Sequence, residues 1–254
     1  MAKRVLRLLH ITDTHLHAAA ESRMRGVCTA ESFAAVVEHA MADADGPDAI
    51  LATGDLVQDE TRAGYERLHG MLKSSGLPVY CLPGNHDAPD IMAEVLDREP
   101  FQVGGEVRAG NWSLLLLDSH SAGDDGGRLK DAELARLRDS LASAQASHYL
   151  VCLHHHPLPM GSSWLDGVAL RNGDEFLELL DESRRVRGVL WGHVHQASDR
   201  QRHGVRLMST PSTCLQFLPN SDSFAVDSRP PGYRWVDLMA NGRIDTEVVW
   251  VPEA

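Results

Sequence analysis

The sequence predicts an α/β layered domain built on one mixed sheet or on two sheets. Two observations carry this. Short apolar runs alternate with amphipathic stretches through most of the chain, and after about residue 203 the helical pattern stops, leaving only strand-like segments. Composition agrees: with 43% hydrophobic and 24% charged residues, a 254-residue chain buries a core without disulfide or metal staples. No internal repeat and no low-complexity linker breaks the pattern, so residues 1–254 read as one domain.

Residues 5–12 read as the first strand. Residues 31–44 read as a helix with Phe33, Val36, Val37, Ala40 and Met41 on one face. A second strand at 49–53 precedes a helix at 61–74 carrying Tyr65, Leu68, Met71 and Leu72, and a third strand comes at 79–82. Strands at 112–117, 149–153 and 189–191 continue the series, separated by helical patterns at 130–144 and 175–182. Residues 205–208, 233–238 and 244–251 look like an antiparallel ending, with Asn241-Gly242 as the turn between the last two. The stretch 219–232, rich in Pro, Gly and Ser, reads as a surface loop.

Charge and patterning exclude several functions. Lys and Arg number 24 against 36 Asp and Glu, a formal net charge of −12. That balance argues against a nucleic-acid binder, whose phosphate contacts need basic patches. It leaves room for a small anion held by local cations. The best apolar stretch, 114–117, is far below membrane-spanning length, and no signal-peptide run comes after Lys3-Arg4. Cys28, Cys81, Cys152 and Cys214 are widely spaced without a CxxC pair, as expected of reduced thiols in a cytoplasmic protein.

The informative pattern lies at the strand ends. Five apolar runs end in Asp13-Thr14-His15, Gly54-Asp55, Gly84-Asn85-His86-Asp87, His154-His155-His156-Pro157 and Gly192-His193-Val194-His195. Strand C-termini line the ligand crevice in α/β sheets, so these clusters can converge. Imidazole with carboxylate and amide oxygen is a transition-metal donor set; a pure Mg or Ca site would rarely recruit so many histidines. Asp13 and His15, two apart on an extended strand end, would face one side, and His193 and His195 would repeat this. Gly54, Gly84 and Gly192 let the backbone turn close to an ion. Asp13, His15, Asp55, Asn85, one triplet histidine, His193 and His195 exceed the needs of one ion and suit two, the clamp of phosphoester chemistry. For the triplet, His154 comes directly off the strand end, whereas counting back from Pro157 points to His155.

Asp13-x-His15, Gly54-Asp55-x-x-x-Asp59, Gly84-Asn85-His86-Asp87, the His triplet and Gly192-His193-x-His195 resemble the calcineurin-like metallophosphoesterase family. Residues 11–16, 52–56, 82–87, 154–159, 163–166 and 210–214 look most like its bacterial class III 3′,5′-cyclic AMP phosphodiesterases. The resemblance covers nearly the whole chain. It implies an αββα sandwich of two mixed sheets flanked by helices. It implies one ion on Asp13, His15, Asp55 and His195, and a second on Asp55, Asn85, His154 and His193, with Asp55 bridging. Iron and manganese are the foremost metals, and zinc or cobalt also fit. His15, Asp55, Asn85, His86, His154 and His195 would face the nucleotide. His86 would stand beside the phosphate and, when protonated, act as general acid toward the ribose 3′-oxygen as a metal-bridging hydroxide attacks in line. Asp59 and Asp87 would orient ligands. Trp164 either stacks on adenine or packs within its loop. The expected partner is a small cyclic nucleotide, with neither nucleic acid nor membrane, and the strand-rich C-terminal stretch offers an edge for a homodimer. Rival expectations are another small diester, such as a glycerophosphodiester or a 2′,3′-cyclic nucleotide, and a non-catalytic scaffold.

Overall fold

The computed structural model describes residues 2–143 and 145–252. Two six-stranded mixed sheets lie face to face. In the first, Arg4–Ile11 lies between Ala49–Thr53, which it pairs in parallel, and Gly232–Met239, which it pairs antiparallel. Val79–Leu82 and Phe101–Val103 extend this sheet on one side, and Ile244–Trp250 forms its other edge. In the second, Trp112–Leu116, His148–Cys152, Val186–Trp191 and Val205–Ser209 run parallel, with Gly105–Ala109 and Ser198–Arg202 as antiparallel edges.

Alternation along the strands makes the layers, because successive side chains point to opposite faces. Leu8, Leu51, Leu82, Leu114, Leu116, Leu150, Cys152 and Leu190 fill the space between the sheets. Leu9, Ile11, Ile50 and Ala52 turn outward onto helices Thr29–Met41, Arg62–Lys73 and Pro89–Leu96. Leu115, Tyr149, Val151 and Val189 face helices Asp131–Ser143 and Gly173–Asp181. Helix, sheet, sheet, helix is the expected sandwich.

The helices begin where local chemistry allows. Thr61 caps its helix through Gly64 N, and Pro89 opens a helix that the apolar periodicity of the sequence did not reveal. One expectation is corrected. Val205–Ser209 does not join an antiparallel ending; it pairs in parallel with Val186–Trp191 in the second sheet, while the chain crosses to the first sheet at Gly232–Met239. Its local pattern says strand and cannot say which sheet. The stretch 219–232 is mainly loop, though Val226–Asp227 pairs with Gln216–Phe217. No helix among the described residues is long and apolar enough to cross a membrane.

A candidate dinuclear metal centre

The loops after five parallel strands, three from one sheet and two from the other, meet at one end of the sandwich. The first two of these loops are zipped to each other by backbone. Asp13 N donates to Gly54 O at 3.0 Å, His15 N to Asp55 O at 2.9 Å and Leu16 N to Leu56 O at 3.0 Å. Asp13 (φ 54°), His15 (45°), Asp55 (50°), His193 (66°) and His195 (46°) all adopt left-handed backbone. The strand-end geometry expected for Asp13/His15 and His193/His195 is therefore replaced by turns. Asp and His are among the non-glycine residues that tolerate such turns best.

All seven metal-ligand candidates come together. Ligand atoms of Asp13, His15 and His195 lie within 4.8 Å of one another, as do those of Asp13, Asp55 and His154. His15 Nε2 stands 3.1 Å from His195 Nε2 and 3.9 Å from Asp55, and His195 Nε2 is 3.4 Å from Asp13. On the other side of Asp55, His154 Nε2 is 3.3 Å from its Oδ1 and 3.2 Å from Asn85 Oδ1. Asp55 thus stands between the two groups.

The outward ring nitrogens decide which atoms can bind. His195 Nδ1 donates to Leu215 O, His154 Nδ1 to Thr53 O and His15 Nδ1 to Gln58 Oε1, each at 2.7 Å. In the neutral form of each ring, which a cation bound there would enforce, Nε2 is a bare lone pair turned inward. His193 is reversed: Nε2 donates to Val168 O at 3.1 Å, leaving Nδ1 free. Such outward hydrogen bonds fix the tautomer and orientation of metal-binding histidines.

The triplet separates by strand alternation. His154 continues the face of Leu150 and Cys152 between the sheets, whereas His155 continues that of Val151 and Leu153 outward, with Nδ1 2.8 Å from Ser119 Oγ. A ring nitrogen of His155 lies within 4.8 Å of ring nitrogens of His154 and His193, but among the described residues no hydrogen bond or ion pair joins it to Asp55 or Asn85. His156 stacks near His193 and approaches Asp166.

Electrostatics mark a place that wants positive charge. Burial opposes ionisation of Asp55, but His154 and His15 more than offset it and hold the carboxyl well below its usual range. Desolvation lowers His15 to about 4 despite Asp55. The same burial acts on His154, yet Asp55 brings it up to about 9.

The supporting residues differ partly from expectation. Asp87 accepts from Gly84 N, Leu56 N, Val57 N and Tyr65 Oη, tying the Asp55 and Asn85 loops together. Asp59 instead accepts from Ala18 N and from Thr61, and makes no hydrogen bond to a ligand among the described residues. The orienting role expected of it falls to its neighbour Gln58, whose amide spans His15 and, at 3.1 Å, His86 Nδ1. His86 N donates to Asp55 Oδ1 at 2.9 Å, which seats the ring beside the centre.

A cavity of about 220 Å³ opens over these residues, lined by His15, Asp55, Asn85, His86, His193 and His195 and walled by Met24, Trp164 and Phe217. Trp164 meets Phe217 and Phe224 edge-on, at 5.2 and 5.3 Å between ring centroids. Phe217 lies flat on His195 at 3.9 Å. Sequence reasoning does not find Gln58 or Phe217, because neither lies in a motif of ligand type.

Known proteins resemble this chain over nearly its whole length. Residues 6–197 match the family model described as calcineurin-like phosphoesterase. The chain is 41% identical over 249 residues to the 3′,5′-cyclic adenosine monophosphate phosphodiesterase CpdA of Vibrio vulnificus, covering 98% of this chain and 91% of that one. It is 42% identical over 244 residues to CpdA of Escherichia coli K12, covering 96% and 89%. Among solved structures, a dimetal phosphatase from Danio rerio superposes with a TM-score of 0.66 at 14% identity, covering 98% of this chain and 100% of that one, a likeness of fold. On the match to the family model and the near full-length relatives together, the chain belongs to the calcineurin-like phosphoesterase family.

Proposed function

We propose that this protein hydrolyses 3′,5′-cyclic AMP to 5′-AMP at a dinuclear metal centre. The observation that carries the metal reading is the convergence of buried donor atoms: those of Asp13, His15 and His195, and those of Asp13, Asp55 and His154, each lie within 4.8 Å of one another. Two buried carboxylates with the Nε2 atoms of His15 and His195 facing each other 3.1 Å apart make a place that a cation would stabilise. The donor set fits: His15, His195, Asp13 and Asp55 would hold one ion, and Asp55, Asn85, His154 and His193 the other. Imidazole with carboxylate and amide oxygen suits iron and manganese, and also zinc or cobalt. When bound, such a pair lowers the pKa of a water and neutralises charge on phosphoryl oxygens.

The chain's own residues do the rest. His86 faces the cavity and donates a hydrogen bond to a phosphoryl or departing oxygen, where charge grows in the transition state. Trp164, backed by Phe217 and Phe224, offers an aromatic face for the adenine. The substrate assignment rests on the relatives' names at 41% and 42% identity. We place the enzyme in the cytoplasm, since its four cysteines are buried and unpaired.

The deciding experiment strips the protein of metal and reloads it with manganese, iron or zinc. Product is then measured on cyclic AMP, cyclic GMP, 2′,3′-cyclic AMP and glycerophosphocholine. Cyclic AMP turned over fastest to 5′-AMP is the expected result. Preference for another diester would overturn the substrate, and silence on all four with both ions bound would overturn catalysis.

A further inference from the structure

We propose that Gln58 is a positioning residue whose single amide links His15 to His86 and fixes the proton of His86 on Nε2. The inference rests on the assignment of His15 to a metal ion. His15 Nε2 faces His195 Nε2 and Asp55 and is the atom assigned to that ion, so the ring proton is on Nδ1. That proton needs an acceptor, and Gln58 Oε1 lies 2.7 Å away. This sets the orientation of the amide. Its nitrogen is then the end 3.1 Å from His86 Nδ1. An amide NH2 only donates, so His86 Nδ1 accepts and the ring's proton sits on Nε2.

The linkage is held at both ends. Gln58 N donates to Leu16 O at 2.8 Å, in the ladder that zips the Asp13 and Asp55 loops. His15 and His86 meet edge-on with centroids 5.4 Å apart. One side chain thus sets the tautomer of a ligand and of the group beside the phosphate.

The choice of amide over acid has a chemical consequence. Glutamate at this position would accept from both Nδ1 atoms, drawing the His86 proton to Nδ1 and leaving Nε2 bare toward the cavity. Glutamine donates to Nδ1 and leaves Nε2–H turned toward the cavity. Such a ring is placed to give a hydrogen bond to the phosphoryl group.

The test uses the full chain loaded with zinc, which is diamagnetic, and reads the His86 ring nitrogens by ¹⁵N NMR in the parent, Gln58→Glu and Gln58→Leu. The parent is expected to show Nε2–H, and Gln58→Glu to show Nδ1–H. Gln58→Glu should keep two ions and KM, Gln58→Leu should also weaken metal binding because His15 loses its partner, and kcat on cyclic AMP and on bis(4-nitrophenyl) phosphate should fall about 10–100-fold in both, the usual size for a supporting partner. Gln58→Glu should not rescue Gln58→Leu, although it still holds His15. An Nδ1–H parent, or Gln58→Glu at parental kcat, would overturn the proposal. A parent inactive on cyclic AMP would sink the substrate reading and leave the tautomer result standing.

Discussion

Gly84→Ala tests whether the site depends on placement as well as on ligand identity, because it leaves every candidate ligand in the chain. A Cβ at Gly84 would overlap Asp55 Oδ1 and the Asp55 backbone nitrogen, and would stand 2.8 Å from His154 Nε2. Ordinary contact is about 3.5–4.0 Å, so His154 alone must retreat by roughly 0.7–1.2 Å, and Asp55 by more. Both are proposed for the second ion's set, and Asp55 for both sets. A displacement of about 1 Å costs on the order of 10²-fold in rate, and overpacking of this kind costs about 1–3 kcal/mol of stability. The backbone at Gly84 is not left-handed, so steric overlap is the whole perturbation. The assay combines a thermal melt, metal content by plasma mass spectrometry, and kcat on cyclic AMP with manganese. We expect a folded protein with a lowered melt, less than two ions per chain, and kcat down about 10²-fold. Gly70→Ala is the control: its Cβ meets nothing within 4 Å on helix Arg62–Lys73. The same chemical change there should stabilise by about 0.5–1 kcal/mol and leave the metals alone. Gly84→Ala holding two ions at parental kcat would refute the reasoning.

Asp55→Ala should leave the protein short of both ions, since this carboxylate stands between the two groups; full occupancy by plasma mass spectrometry would contradict the bridge. His86→Ala should keep both ions and lose about 10²–10³-fold in kcat, the worth of one donor at a developing charge, whereas parallel loss of metal would make it a ligand. Trp164→Ala should raise KM for cyclic AMP and leave bis(4-nitrophenyl) phosphate turnover nearly unchanged; an equal loss on both would return Trp164 to a packing role. Stability of the metal-free protein should fall with acid. His10 is fully buried between Thr210 and Thr53, and burial, with Arg234, holds its pKa well below the ordinary value. Below about pH 6.5 the unfolded chain binds the proton that the folded one refuses, so stability drops by up to about 1.4 kcal/mol per pH unit for this group. Urea melts from pH 7.5 down to 5.5 should show the slope, with His10→Gln flatter; identical slopes would refute it.

What the sequence made legible were the residues whose chemistry is announced by type. Gly54, Gly84 and Gly192 precede proposed ligands where no Cβ fits: at Gly192 one would stand 2.7 Å from Asp13 Oδ2. The five polar clusters were visible where apolar runs end, and the sandwich in the alternation that sends Leu8 inward and Leu9 outward. Three things were not legible. The membership of Val205–Ser209 in the second sheet is a long-range fact without a local signature. The partners that fix the ring tautomers are mostly backbone carbonyls, those of Thr53, Leu215 and Val168, which every residue carries. Gln58 stands three residues after Asp55, where its spacing predicts nothing until His15 and His86 are seen on either side of it.

The left-handed residues join the fold to the site. Of nine non-glycine residues with positive φ among those described, five are proposed ligands: Asp13, His15, Asp55, His193 and His195. At about 1–2 kcal/mol each, they store on the order of 5–10 kcal/mol of strain. That is comparable with the whole stability of a domain, about 5–15 kcal/mol, so it must be offset nearby. The offsets are visible. The ladder from Asp13 N to Gly54 O continues through Leu16 N to Leu56 O, and His193 N donates to both oxygens of Asp13 at 3.0 and 3.1 Å. Asp87, whose carboxyl burial and Asp55 push up to about 6 against its backbone donors, holds the third loop to the second. A cation that binds only the folded chain would add to these by mass action. The ligands are therefore held by the same hydrogen bonds that close the end of the sandwich. Weakening Asp87, which does not line the cavity over the centre, should accordingly loosen metal and fold together, while loss of the Gln58 side chain, which gathers no such set of backbone donors, should leave the fold intact.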